Sequence, residues 1–81
     1  MWFKKRYKDI KLECYAVDQI EKFDSINNKN YFEYQFYFTI IEPKDITNKS
    51  WTEYTDYCNS FEIDKIYDGK LNERTGEITI L

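Results

Sequence analysis

The stretch YFEYQFYFTII, residues 31–41, sets Phe32, Tyr34, Phe36, Phe38 and Ile40 in alternation with Tyr31, Glu33, Gln35, Tyr37 and Thr39. A period of two sends the first set to one face of a strand and the second to the other. The second face is amphipathic rather than charged, which suits a central strand that is half covered. The rest of the fold is read outward from this strand.

Immediately upstream, Ile10, Leu12, Cys14 and Ala16 keep the same alternation, and Ile20 stays in phase with them. A helix through Leu12, Ala16, Ile20 and Phe23 is the competing reading of residues 10–23. Cys14, Tyr15 and Val17 favour a pleated surface, and DSINNKN (24–30) has the composition of a hairpin turn into the strong strand. A strand is therefore expected here.

Downstream, EPKDITNKS (42–50) contains the only proline, Pro43, whose missing N–H ends ladder pairing, followed by Asp45, Asn48 and Ser50. This is a loop. Ser50 and Glu53 then form the S-x-x-E pattern of a helix start, yet Trp51, Thr52, Tyr54, Thr55 and Tyr57 are strand formers. Propensity summed over the segment outweighs two residues of capping pattern, so a strand is expected, with a short helix at 50–60 as the alternative. The last third reads as a strand from Phe61 to Tyr67, a turn at Asp68-Gly69, and a hairpin ending in Glu77–Leu81. In that hairpin Gly76 of ERTG takes the left-handed conformation required by a type I turn with a bulge.

About five short strands in 81 residues, joined in sequence by turns, make a mainly β fold, a small antiparallel five-stranded sheet rolled into a half-barrel. The alternative is α+β, with one helix at 10–23 or 50–60 packed on the sheet. A chain of this length buries only about 60 to 65 percent of its unfolded surface. Its apolar content is near the minimum for a stable monomer, which leaves room for a homo-oligomer.

The charge is unevenly placed. MWFKKRYK, residues 1–8, threads Trp2, Phe3 and Tyr7 through Lys4, Lys5, Arg6 and Lys8, whereas residues 9–81 hold eight bases against fifteen acids, a formal charge of −7. The expected organisation is a basic aromatic tip at 1–8 followed by a single acidic β domain at 9–81. Ile, Lys, Asn, Tyr and Phe make up about half of the chain, the signature of an AT-rich genome, so some of the aromatic and lysine content is mutational in origin.

Little chemistry is open to this composition. Without histidine, and with Cys14 and Cys58 far apart, the usual zinc ligand spacings are missing and neither thiol has an imidazole partner. The two cysteines read as reduced thiols packed as small apolar side chains, with a disulfide between them as the alternative. Carboxylate pairs such as Glu62 and Asp64, or Asp64 and Asp68, are of the kind found on solvated surfaces. The two glycines, Gly69 and Gly76, are both read as turn residues, which leaves no phosphate-binding loop. No enzyme activity, cofactor or metal is expected. The N-terminus lacks the apolar run of a signal peptide and no stretch has the length of a membrane span, so a cytoplasmic protein is expected.

Binding is what remains. Five strands cannot enclose eight tyrosines, six phenylalanines and two tryptophans, and Tyr31, Tyr37, Trp51, Tyr54 and Tyr57 are expected at the surface as a partner-binding set. The expected function is stoichiometric protein–protein interaction, compatible with a phage or mobile-element inhibitor of a host enzyme. The alternative is a small barrel that binds nucleic acid through Trp2, Lys4, Lys5, Arg6, Tyr7 and Lys8, with sheet tyrosines as stacking platforms. Four cations on an acidic body give only weak, salt-sensitive binding to a polyanion, which disfavours that alternative.

Overall fold

A computed structural model of the chain describes residues 6–47 and 49–81. Five strands form it: β1 (Tyr7–Asp24), β2 (Lys29–Glu42), β3 (Ser50–Thr55), β4 (Ile66–Asn72) and β5 (Ile78–Ile80), with a single 3-10 turn at Lys44–Ile46. They make one antiparallel sheet in the order β3-β2-β1-β4-β5. Three consecutive strands followed by a fourth that returns beside the first is a Greek key. The sheet curls into a nearly closed half-barrel, as the sequence implied, and no helix occupies 10–23 or 50–60.

The inner face carries the core. Ile10, Leu12 and Cys14 of β1, Phe36, Phe38 and Ile40 of β2, Leu71 of β4 and Ile78 of β5 are buried together. The alternation read in residues 31–41 holds, since Phe36, Phe38 and Ile40 all point inward. It also holds in β1 as far as Cys14. There the register of β1 against β2 slips, with Cys14 opposite Phe38 but Ala16 opposite Tyr37, so that Tyr15 is an extra residue in a β-bulge. One inserted residue exchanges the two faces for everything beyond it. The sequence phase that carried Ala16 and Ile20 inward is therefore corrected: both share the face of Tyr37, and Val17, Gln19, Glu21 and Phe23 take the inner side.

The last third departs further from the sequence reading. Residues 56–65 form no strand. They cross from the end of β3 to the far side of β1, and Phe61 seals the open mouth of the half-barrel on the way. Its ring meets Phe36, Phe38 and Tyr67 edge-on, with centroids 5.3, 5.0 and 5.4 Å away. The crossing is pinned by local bonds, Ser60 N–H to the Tyr57 carbonyl and Glu62 N–H to the Tyr67 hydroxyl. Asp64, at φ 67°, ends it by donating its N–H to the Cys14 carbonyl at 2.7 Å. A connection that must cover a core has to present one large apolar residue, and alternation in so short a run imitates a strand.

Asp68-Gly69 is likewise not a turn. Both residues lie within β4, where Asp68 faces Lys11 and Gly69 faces Ile10. Gly69 is there for space: a Cβ would come within 2.7 Å of Leu12 Cδ1 and 3.0 Å of the Thr79 carbonyl oxygen. A glycine inside a strand often marks such a close approach of neighbouring chain. The terminal hairpin is as expected, with Gly76 at φ 80° and its N–H bonded to the Asn72 carbonyl at 2.7 Å.

The molecule is drawn out. Its radius of gyration is 15.6 Å, against about 12 Å for a compact domain of this length. The excess comes from β1 and β2. β3 pairs only with Tyr34–Thr39 of β2, and β4 only with Tyr7–Glu13 of β1. The remainder of the two long strands, closed by a turn in which Asp24 accepts from the Ile26 N–H at 3.0 Å, continues as a two-stranded ribbon beyond the core.

Candidate functional site

The most distinctive surface of the protein is one where the face exchange at Tyr15 sets Ala16, Asp18 and Lys22 of β1 beside outward-facing tyrosines. On the outer face of β1, β2 and β3, Tyr37 stands opposite Ala16 and Thr52, Tyr54 opposite Gln35, and Tyr31 opposite Lys22. The small Ala16 leaves room over β1. The Tyr37 ring leans across it towards Tyr15, with centroids 6.2 Å apart, and its hydroxyl reaches Asp18. Tyr15, Tyr31 and Tyr54 are 50, 43 and 62 percent exposed, and Tyr37 is half-buried between them.

This face is held by polar contacts rather than by burial. The Tyr37 hydroxyl donates to Asp18 Oδ2 at 2.7 Å and lies 3.1 Å from Gln35 Oε1. The bond to the Asp18 carboxylate, then desolvation, hold the Tyr37 phenol above the usual tyrosine range. Lys22 Nζ pairs with Glu33 Oε2 at 2.7 Å, and that bond raises the lysine above its ordinary value. Tyrosine on a strand offers a rigid ring with a hydrogen-bonding tip at small entropic cost, the property that makes it a common interface anchor.

Tyr31, Tyr37 and Tyr54 thus share this face, spread along β2 and β3, while the other two residues of the expected set are not part of it. Trp51 lies on the inner side opposite Phe38, half-buried against the core, with its indole N–H bonded to Glu53 Oε1 at 2.7 Å. Its expected surface position is corrected on that account. Tyr57 is exposed, in the turn that follows β3. Tyr15 also belongs to the face and was missed, although alternation with the inward Cys14 already sets it on the outer side.

Of the cationic set, Trp2, Lys4 and Lys5 lie outside the described residues. Arg6 and Tyr7 are exposed, and the Arg6 carbonyl accepts from the Glu73 N–H at 2.8 Å. Tyr7 and Lys8 are the first residues of β1, and Lys8 Nζ pairs with Asp45 Oδ2 at 3.2 Å. At about 3.3 Å per residue, roughly 30 to 45 Å of strand separates Lys8 from Asp18–Lys22. The described cations Arg6 and Lys8 therefore lie around the start of β1, roughly 20 to 25 Å of strand from Tyr15 and further from Lys22.

A groove of about 410 Å³ on the β1–β4 side is lined by Asp9, Lys11, Asp68 and Lys70 together with Glu42 and Leu81. Its charges neutralise one another across the ladder, Lys11 with Asp68 at 2.8 Å and Lys70 with Asp9 at 2.7 Å. Among the described residues no cluster of three or more acidic or cysteine side chains could hold a metal. Cys14 is a buried free thiol whose pKa is pushed up by that burial, and Cys58 is a free thiol at the surface. No described helix is long and apolar enough to cross a membrane. Comparison of the chain with protein-family models, curated proteins and solved structures finds no match.

Proposed function

We propose that this protein is a non-catalytic binding module that associates stoichiometrically with a protein partner through the outer face of β1, β2 and β3. One observation carries the reading: Tyr15, Tyr31, Tyr37 and Tyr54 are gathered on one face, Tyr37 fixed by Asp18 and the others exposed. Rigid aromatics with satisfied polar neighbours supply contact area at little ordering cost on binding. The position of Arg6 and Lys8 around the start of β1, away from Tyr31 and Tyr54, weighs against nucleic acid stacked on the same tyrosines. The AT-rich residue usage is compatible with an origin in a phage or mobile element, where a small acidic protein of this kind would act as an inhibitor of a host enzyme.

The test is capture from lysate of the source cell or host at about 0.15 M salt, with and without nuclease. A Tyr31→Ala/Tyr54→Ala variant is compared with Lys70→Ala, which alters the outer surface of β4 across the sheet from Tyr54. Expected is a stoichiometric protein that survives nuclease, binds the Lys70→Ala variant as it binds wild type, and is lost with the double tyrosine variant. Recovery of nucleic acid, or a partner indifferent to both tyrosines, would overturn the assignment.

A further inference from the structure

Pairing with β4 ends at Glu13 and Ile66, Cys14 bonds Asp64 and Lys65 just before β4, and β1 then continues for ten residues with β2 on one side only. Among the described residues no other segment contributes a backbone hydrogen bond to Ala16–Asp24. Such an edge is a template for another strand, and proteins that must not pair there interrupt it with proline, bulges or repelling charge. Ala16–Asp24 contains no proline, its register against β2 is unbroken from Ala16 to Asp24, and its charges, Asp18, Glu21 and Asp24 with Lys22, are of both signs. On its inner side Val17 and Phe23 are 41 and 59 percent exposed, more than a ribbon covered by its own chain would leave.

We propose that the occupant of this edge is a second copy of the chain, paired antiparallel along Ala16–Asp24 about a two-fold axis through Ile20. Opposed residues of an antiparallel pair share a face, so a two-fold axis perpendicular to the sheet must pass through a residue. Three centres are available. An axis at Glu21 sets Glu21 against itself and Asp18 against Asp24. An axis at Gln19 sets Val17 against Glu21 and Asp18 against Ile20. An axis at Ile20 sets Asp18 against Lys22 on the outer face and Val17 against Phe23 on the inner face, each pair made twice.

The side chains are free to make these contacts. Tyr37 engages Oδ2 of Asp18, and a carboxylate accepts at both oxygens. Lys22 holds Glu33 with one of three ammonium donors and keeps 44 percent of its side chain exposed. Pairing would close the free edge and join two half-barrels through their ribbons. It would also place the two tyrosine faces on the same side of one continuous sheet. The dimer stands independently of any partner for that face.

The test is sedimentation velocity on the full chain from about 1 to about 300 μM, where mass action separates monomer from dimer. Wild type is expected to shift to a dimer with rising concentration. Asp18→Lys and Lys22→Asp are each expected to weaken self-association by about tenfold or more, by setting like charges opposite one another. An equimolar mixture of the two variants restores complementarity and is expected to give a heterodimer, with circular dichroism confirming that both fold. For a variant that does not fold, oxidation supplies the second measurement. In a Cys58→Ser background, Ile20→Cys on the axis is expected to cross-link two chains and Ile26→Cys in the turn is not, because a disulfide needs Cα atoms about 4.4 to 6.8 Å apart. Monomeric wild type across the range, charge variants that associate as wild type does, or equal cross-linking at both positions would overturn the proposal.

Discussion

Tyr37 of β2 reaches diagonally over Ala16 of β1 to hydrogen-bond Asp18, at 2.7 Å, rather than contacting only the residue directly opposite. The small side chain at Ala16 makes this possible, and the bulge at Tyr15 puts Ala16 there. Tyr37 is consequently the fixed centre of the tyrosine face, with Tyr15 leaning on it at 6.2 Å.

The fixed hydroxyl has a titration signature. With the Asp18 carboxylate as acceptor, the Tyr37 phenol is expected to ionise above the ordinary tyrosine value of about 10. Ring-carbon NMR shifts followed against pH would read it directly. Asp18→Asn should return the midpoint towards the ordinary value, and an unchanged midpoint would show that the hydrogen bond is not its cause.

Phe61→Ala removes the ring that seals the mouth of the half-barrel, against Phe36, Phe38 and Tyr67. A loss of about 2 to 4 kcal/mol is expected in urea unfolding, since the cavity opens at a site that is already half exposed. Ile63→Ala, two residues along and exposed, is expected to stay within about 0.5 kcal/mol. Equal losses at the two positions would contradict the crossing connection described here.

At Gly69 a branched side chain meets Leu12 and the Thr79 carbonyl. Gly69→Val is expected to cost about 1 to 3 kcal/mol by forcing β4 and β5 away from β1. Gly76→Ala meets nothing within 4 Å, and its cost of about 1 kcal/mol comes from the positive φ alone. Amide exchange separates the two causes: only the Gly69 variant should loosen β5, whereas equal exchange in both variants would remove the close-packing explanation.

Stability should be flat between about pH 5 and 8 and fall on either side. Asp9, lowered by its hydrogen bond to Lys70, and Asp24, lowered by bonds from Asn27 and Ile26, contribute stability that is fully present above the ordinary aspartate pKa. It is lost as pH falls through their lower folded values. Cys14, Tyr37, Lys11 and Lys22 are raised, so their contributions are complete below the ordinary pKa of each and are lost as pH rises through the folded values. Urea midpoints across the range check this. A slope centred near pH 6 to 7 would contradict it, since the chain has no histidine to supply one.

Residues 31–41, residues 10–14 and the ERTG hairpin were legible in the sequence because each is decided locally, by alternation or by the backbone freedom of one glycine. The absence of histidine, read equally early, removes imidazole from the groups the chain can use. The bulge, the crossing connection and the burial of Gly69 were not legible, because each answers to something distant in sequence. Tyr15 is extra only relative to β2, Phe61 is needed only where β3 and β4 lie on opposite sides of the central pair, and Gly69 is required only because Leu12 and Thr79 crowd it. Composition thus determined that tyrosines would exceed what the core could hold. What stands beside them was decided by a register slip at Tyr15, since one residue inserted into β1 reverses the side to which every later side chain of that strand points and sets Ala16 and Asp18 under Tyr37.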